Sequence, residues 1–196
     1  MHAKRKQSNN PRGRPQSDLL TDSIHTAVFA ILQRGSYQSL SIDAIAAQAR
    51  VSRPSLYRRY GSVGQITLAA LEAKGRVILH MPCSADVRKD LCSYFLALVV
   101  AVDEGSAVGR ALRGTMAAAL VDIELRPHFR RFIGARRQPV LNRLSAWNSC
   151  YGATELEAIA DALFGPLWYR LIIRYVPVSG RDIRRIVEKA LSGSMA

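Results

Sequence analysis

The residues best suited to chemistry lie between Ser41 and Tyr60, in the stretch SIDAIAAQARVSRPSLYRRY. Two short amphipathic helical patterns are joined there by a tight break, which is typical of a helix-turn-helix. Ser41 and Ser52 are good N-caps for the two helices. Leu56 and Tyr60 can point inward, which leaves Arg53, Ser55, Tyr57, Arg58 and Arg59 facing outward. Guanidinium, hydroxyl and phenol groups suit phosphate oxygens and base edges in the major groove.

Spacing alone leaves a plainer interpretation open, since any surface helix can carry Arg and Tyr. The overall charge favours a polyanionic partner, because the chain has a formal net charge of +13. Residues 1–60 hold ten Lys and Arg against three acids, so the excess is concentrated in the first third. Double-stranded DNA is the expected partner and an anionic membrane the alternative. No apolar run is as long as a membrane span, and the N-terminal residues lack the apolar core of a signal peptide, so we expect a cytoplasmic protein that does not enter membranes.

Cysteine and histidine spacing predicts no metal site and no cofactor. Cys83, Cys92 and Cys150 are odd in number and lack a CxxC pair, and the four histidines are isolated from one another. A thiol sensor is left open, because the sequence does not reveal a thiol pKa. No nucleophile and base pair or phosphate loop stands out, so an enzyme or a small-molecule carrier is the least favoured class.

Residues 1–16 are expected to form a disordered basic arm, with five basic residues, no acid and no apolar periodicity. Within the arm, PRGRP resembles the core of an AT-hook, in which Arg12 and Arg14 would enter an A·T-rich minor groove. An arm that acts only through charge is the alternative.

Apolar spacing predicts an all-α fold for the rest of the chain. A first helix runs from an N-cap at Ser17 to Arg34 and is ended by a left-handed Gly35. The helix-turn-helix follows and completes a DNA-binding domain over residues 17–62. A fourth helix, capped by Ser62 and Gln65, should end near Met81. This helix begins a helical-bundle domain over residues 63–196.

Five further helical patterns fill the second domain. Pro139 is expected to kink or split the seventh helix, whose six arginines we interpret mainly as a solvated face: Arg126, Arg130, Arg131, Arg136, Arg137 and Arg143. A capping box at Thr154–Glu157 should start the eighth helix, and Ser179 lies where the last should begin. The eighth helix ends apolar nearly all round, so part of the last two helices should meet another subunit.

Order and motifs together resemble the tetracycline-repressor (TetR) family of bacterial transcriptional regulators. The resemblance is carried by LSIDAIA at residues 40–46, by VSRPSLYRRY at residues 51–60 and by the capped fourth helix. A weaker match is LFGPLWYRL at residues 163–171, which is similar to a stretch in the penultimate helix of one branch of the family. Residues 80–150 match only as a helical outline.

The resemblance implies a homodimer that pairs through its last two helices and places each third helix in the major groove of a palindromic operator. Carried over by position, the residues that contact DNA are Ser52, Arg53, Pro54, Ser55, Tyr57 and Arg59. Two positions depart from the family pattern. Arg50 stands where the turn often has Gly, and Val63 stands where a phosphate-binding Lys is common.

The mechanism implied by the resemblance is repression relieved by a small-molecule effector bound in the second domain. The middle helices would line the pocket, with these candidates: Tyr94, Met116, Leu120, Trp147 and Trp168. Taken singly, aromatic and Met residues at helical spacing are more often plain core than ligand contacts. The alternative is a DNA-binding regulator or architectural protein without an inducer. The effector and the operator are not identified by the sequence.

Overall fold

The computed structural model describes residues 14–193, and within that range it consists of helices with no β-strand. A 3-10 turn spans Tyr37–Ser39, and a π-helical segment over Tyr169–Ile173 extends the eighth helix. The nine α-helices are α1 (Arg14–Arg34), α2 (Ile42–Ala49), α3 (Arg53–Arg59), α4 (Val63–Ile78), α5 (Val87–Ala101), α6 (Ala107–Val121), α7 (Arg126–Trp147), α8 (Ala153–Trp168) and α9 (Gly180–Ser192). The predicted all-α fold is confirmed.

Helix α1 begins earlier than predicted. It starts at Arg14 and not at Ser17, because Pro15 has no N–H to lose in a first turn and is therefore tolerated there. The prediction of a disordered basic arm over residues 1–16 was therefore wrong for residues 14–16, whose backbone is helical. Arg12 lies outside the described residues. Ile24, Val28 and Leu32 form the buried stripe of α1, which packs on α2, α4 and α6.

Gly35 does not have the left-handed conformation predicted for it, and the end of α2 has a left-handed residue instead. No glycine of the described range has a positive φ, whereas Arg50 does, with φ 57° and ψ 45° at the end of α2. The backbone N–H of Arg50 and that of Val51 donate to the carbonyls of Ala47 and Ala46, which closes the turn. Gly35 is needed for space, since a Cβ there would lie 2.6 Å from Oγ of Ser39.

Helix α4 is held against α7 by two glycines. A Cβ on Gly64 would lie 2.5 Å from Cδ2 of Leu125, and a Cβ on Gly75 would overlap the guanidinium of Arg136. We call these two contacts the glycine notches. The two glycines are eleven residues apart in the sequence, and so are Leu125 and Arg136. Eleven residues correspond to about three turns of a helix, so the two contacts are spaced equally along both helices. The notches therefore fix α4 and α7 together along most of the length of α4.

Pro139 does not split α7, which runs without interruption from Arg126 to Trp147. The buried phenol of Tyr94 on α5 donates to the carbonyl of Arg136 at 2.9 Å, close to the point where the proline removes an N–H. Packing against α4, α5, α6 and α8 provides the rest of the support for this long helix.

The α7 arginines form a solvated face only in part, so that interpretation was wrong for half of them. Arg126, Arg130 and Arg131 are exposed, but Arg136 and Arg137 are half-buried and Arg143 is buried. Arg143 donates through Nε to Asp90 at 2.7 Å. The Ser84 hydroxyl, which also donates to Asp90, and then Arg143 hold the pKa of this carboxyl below its usual range. A buried guanidinium is stable there because a carboxylate compensates it.

The start of α8 also differs from the prediction at Thr154. Gly152 is the N-cap, and its N–H donates to the side chain of Glu155 at 2.8 Å. Glu157 instead pairs with Arg137 of α7. The start of α9 agrees with the sequence: Ser179 caps the helix and forms a capping box with Asp182.

The left-handed Arg50 allows a test of the turn geometry. We expect Arg50→Gly to raise the free energy of unfolding by about 0.5 to 1 kcal/mol, because a side chain is disfavoured at positive φ. Thermal and denaturant unfolding followed by circular dichroism would measure it. Gln48→Gly, at an exposed position inside α2, is the matched control and should lower stability by about 1 kcal/mol. Equal losses in both variants would contradict the assigned turn geometry.

Candidate nucleic-acid interface and ligand cavity

Helices α2 and α3 are fixed by caps at both of their starts. Ser41 Oγ accepts from the N–H of Ala44 at 3.0 Å, and Ser52 Oγ accepts from the N–H of Ser55 at 3.4 Å. Ile45 and Leu56 are fully buried between the two helices. This arrangement is a helix-turn-helix, as the sequence indicated.

The outer face of α3 gathers the side chains that the sequence singled out for DNA contact. Six of them are exposed: Ser52, Arg53, Pro54, Tyr57, Arg58 and Arg59. Tyr57 is 58% exposed although it is aromatic. Ser55 is half-buried, and its hydroxyl lies 2.9 Å from that of Ser52, so both hydroxyls hold the start of the helix. A phenol and three guanidinium groups remain on one short solvent-facing helix.

Tyr60 is half-buried and fixes the end of α3 to α1. Its hydroxyl lies 3.2 Å from Nε2 of His25. Burial lowers the pKa of the His25 imidazole and raises the pKa of the Tyr60 phenol, so both groups are neutral at physiological pH. A neutral pair gives one hydrogen bond with no charge to desolvate.

One acid lies beside the candidate DNA-binding face. Asp43 of α2 accepts from Nε of Arg53 at 2.5 Å, and both side chains are more than half exposed. The carboxylate orients the first arginine of α3 but also places a negative charge where phosphates would approach. The sequence analysis missed this pairing, because only the turn between α2 and α3 brings the two residues together.

The two parts of the chain are joined by contacts beyond the peptide link. Arg110 of α6 donates through Nε to the carbonyl of Leu32 at 2.7 Å. Tyr37 fills a notch at Gly114 of α6, where a Cβ would overlap its ring. Residues 17–62 are therefore braced against α6 as well as continued by α4. Within the second part, the side chain of Gln65 at the start of α4 lies 3.1 Å from Nε2 of His128 on α7.

An apolar cavity lies between α4, α5, α6, α7 and α8. Its walls are Leu, Ile, Val and Ala side chains together with Phe132, Ile133, Arg136 and Trp168. The space open to the centre of a water molecule is about 30 Å³, enough for about two waters. Arg136 is the only charged side chain of this lining. A small ligand could bind here only if the helices moved apart.

Of the five residues predicted to line a ligand pocket, Trp168 does so in this cavity. Tyr94 is buried beneath Arg136, and Met116 and Trp147 are half-buried outside the lining. Leu120 is 69% exposed at the end of α6, because the inward face of that helix is carried by Ala111, Leu112, Thr115 and Ala119. Sequence reasoning missed Phe132, Ile133 and Arg136, although their i, i+1 and i+4 spacing on one helix was visible.

The described residues contain no group of His, Cys, Asp and Glu side chains arranged to hold a metal ion. No helix within residues 14–193 is long and apolar enough to cross a membrane. Burial raises the pKa of the Cys92 thiol, which keeps it protonated and poorly reactive. These observations leave the α3 face and the apolar cavity as the candidate functional sites.

Two family descriptions match this chain. "Bacterial regulatory proteins, tetR family" matches residues 24–70, and "Tetracyclin repressor-like, C-terminal domain" matches residues 81–190. The chain belongs to the TetR family. It is thus a DNA-binding transcriptional regulator of the helix-turn-helix type, as TetR family proteins are.

Relatives of this TetR family regulator cover nearly its whole length. It is 23% identical over 189 residues to the HTH-type transcriptional regulator YdeS of Bacillus subtilis, with 94% of each chain covered. It is 26% identical over 173 residues to Mb1581 of Mycobacterium bovis, covering 84% of this chain and 82% of the relative. Both relatives are transcriptional regulators.

Solved structures of other proteins share the fold. The TetR family transcription regulator SCO0332 superposes with a TM-score of 0.77 at 24% identity, over 90% of this chain and 98% of that one. The multidrug binding protein EbrR, complexed with proflavin, gives a TM-score of 0.58 at 20% identity, over 87% and 99% of the two chains.

The Asp43 and Arg53 pair generates a prediction. We expect Asp43→Asn to tighten binding to a non-specific DNA duplex by about threefold at low salt, since one negative charge leaves the face that meets phosphates. Fluorescence anisotropy across a salt series would measure the change. Glu104→Gln, which removes an exposed charge between α5 and α6, should leave binding unchanged. Weaker binding by Asp43→Asn would mean that orientation of Arg53 outweighs the charge.

Proposed function

We propose that this TetR family regulator is a dimeric repressor that binds a palindromic operator and is released by a small ligand. The observation that carries the proposal is the outer face of α3, where Arg53, Tyr57, Arg58 and Arg59 surround a buried Leu56. A rigid short helix with this composition can enter the major groove and read base edges. The proposed DNA-binding domain is residues 17–62, and residues 63–196 form the proposed ligand-binding and dimerisation domain.

The proposed DNA contacts divide into three groups. Arg53, Ser55 and Arg58 would approach base edges, and Tyr57, Arg59 and Ser52 would approach phosphates, with Pro54 in contact with the groove wall. Val63, half-buried at the start of α4, offers no charge to a phosphate. Arg12 and Arg14 of the basic arm would add minor-groove or purely electrostatic contacts in its place.

A stripe on α8 supports dimerisation through the last two helices. The residues that face outward at helical spacing are Ala158, Ala162, Gly165, Tyr169 and Ile173. Tyr169 is 56% exposed and Ile173 is 63% exposed, whereas small residues at the other positions let a second helix approach closely. The charges of the two helices differ in sign: α8 carries three acids and no Lys or Arg, although two of these acids pair with Arg137, and α9 carries four basic residues against two acids. A twofold axis would bring α8 of one copy against α9 of the other.

Ligand response would operate through α4. The apolar cavity meets α4 at Gly75, near one end, and the recognition helix α3 is joined to the other end. A ligand that separates α7 from α4 would change the spacing of the two α3 helices, which must match grooves about 34 to 36 Å apart. A preference of about 5.5 kcal/mol for the moved state is enough to shift a dimer almost completely.

The small size of the cavity favours a second candidate, a regulator that binds DNA without an inducer. A space of about 30 Å³ is far below the several hundred Å³ of most ligand pockets. A reporter gene placed under an operator selected with this protein distinguishes the two candidates. Its expression should rise on addition of an effector only if the protein is an inducible repressor that then leaves the operator.

Tyr57 tests the DNA-binding face. An operator would first be selected from random duplex DNA, and we expect a palindrome with two half-sites. Tyr57→Phe should weaken binding to that operator by about tenfold, since the phenol would lose a hydrogen bond to a charged phosphate. Tyr175→Phe removes an equally exposed phenol remote from α3 and should bind as wild type does. Equal affinity of both variants, or selection of no palindrome, would refute this mode of recognition.

Ala162 tests the dimer interface. We expect Ala162→Glu to shift the protein to monomers in sedimentation equilibrium and to abolish operator binding, because the substitution buries an unpaired charge against the twofold partner. Ala85→Glu, in the exposed segment before α5, is the control for added charge and should remain dimeric. A dimer that survives Ala162→Glu unchanged would exclude α8 from the interface.

A further inference from the structure

Arg136 gives the apolar cavity a specific chemistry. We propose that the effector is a small apolar carboxylic acid whose carboxylate is bound by the Arg136 guanidinium. This inference rests on the proposed ligand response and adds the chemical class of the ligand. It depends on one charged group in an otherwise apolar lining.

The guanidinium of Arg136 is incompletely paired. Its Nη2 donates to the backbone carbonyl of Glu72 at 3.2 Å, and its carbon lies 5.3 Å from the centre of the Phe132 ring. Its Nε is buried and has no acceptor among the described residues. A buried N–H without a partner is costly, so an acceptor brought by a ligand would relieve that cost.

The other inward-facing arginines of α7 are paired differently. Arg143 is bound to Asp90, and Arg137 is bound to Glu157 and Asp161. Arg136 is next to Arg137 on the same helix, but no carboxylate of the described residues forms an ion pair with it. Of these three arginines, two are neutralised by carboxylates of the protein, and the third lines the cavity with its charge uncompensated.

The ligand class follows from what each alternative would leave unsatisfied. A neutral apolar molecule would bury the guanidinium without an acceptor, and a cation would be repelled by it. A phosphate dianion would bring a second charge that this lining cannot neutralise. A carboxylate offers two oxygens to the planar guanidinium fork, and an apolar body matches the remaining walls.

Room for that body is available beside the cavity. A second opening of about 220 Å³ shares Ile133, Arg136 and Trp168 with it and reaches the surface between α7 and α8. The rest of its lining is Phe164, Gly165, Arg137 and Asp161, and the charges of the last two are paired with each other. Because the same three side chains divide the two spaces, a change of side-chain conformation at Trp168 or Arg136 would join them. The combined space suits a chain or ring system of modest size.

Binding at Arg136 would also act on α4. The guanidinium occupies the notch at Gly75 and holds the carbonyl of Glu72, so a carboxylate that draws it toward the cavity removes both contacts. The second notch, between Gly64 and Leu125, is next to the helix-turn-helix and is not touched by the cavity. Arg136 would then couple the occupied cavity to the helix that follows α3.

Calorimetric titration of the full-length protein tests the inference. The probes are octanoate and 2-naphthoate, each with its neutral alcohol, 1-octanol and 2-naphthalenemethanol. We expect at least one carboxylate to bind about tenfold more tightly than its alcohol, since only the anion satisfies the guanidinium. Arg136→Gln should weaken carboxylate binding by about tenfold and leave alcohol binding unchanged. Arg130→Gln, at an exposed position of the same helix, should bind as wild type does.

The outcomes separate the ligand class from the proposed function. Equal affinity for acid and alcohol in the wild type, which needs no variant, would overturn the inference, and so would the failure of both carboxylates to bind at about 1 mM. Unchanged carboxylate affinity in a folded Arg136→Gln would also overturn it. If a carboxylate binds through Arg136 but operator DNA stays bound in anisotropy, the ligand class stands and the proposed release mechanism fails.

Discussion

The close approach of α4 to α7 through two glycine notches is the constraint on which the rest of the structure depends. Gly64 accommodates Leu125 and Gly75 accommodates Arg136, and neither position has room for a Cβ without displacing its partner. Between the notches, Leu68 packs with Phe129 and Phe132. Because α4 begins shortly after α3 ends, the direction of the recognition helix follows the direction of α4. Packed helices of this kind shift between discrete arrangements and do not deform continuously, which makes the notches a natural place for a switch.

Pairing of the arginines separates structural charge from charge available to partners. Inside the protein, Arg143 and Arg137 are paired with carboxylates on α5 and α8. On the α3 face the arginine side chains are exposed, and Arg53 is paired with the exposed Asp43, so these charges lie where a polyanion would approach. Arg136 fits neither group, since it is half-buried and held only by a backbone carbonyl and an aromatic ring. This contrast, within one helix, is what gives the apolar cavity a preferred ligand charge.

Residues 17–62 are attached to α6 at two points in addition to their continuation into α4. Arg110 of α6 binds the carbonyl of Leu32, and Tyr37 fits the notch at Gly114 of α6. One connected hydrophobic core includes Ile45 and Leu56 of the helix-turn-helix together with Leu98 of α5 and Leu163 of α8. Separation of α6 or α7 from α4 would therefore change the position of α3 without unfolding either part of the chain.

The sequence by itself determined the helical fold, the helix-turn-helix and the outward residues of α3 apart from the half-buried Ser55, because apolar periodicity and Ser caps act over a few neighbouring residues. It also pointed to Arg50 as the residue in an unusual turn. Only the tertiary structure decided the rest. The sequence predicted Leu120 to line a pocket and Arg143 to lie on a solvated face. In the structure Leu120 is exposed, and Arg143 is buried beside Asp90, 53 residues away. The cavity of Phe132, Arg136 and Trp168, and the notch at Gly75, likewise arise where separate helices meet. Local pattern fixes which side of a helix is apolar, but which neighbour that side meets depends on packing between distant segments.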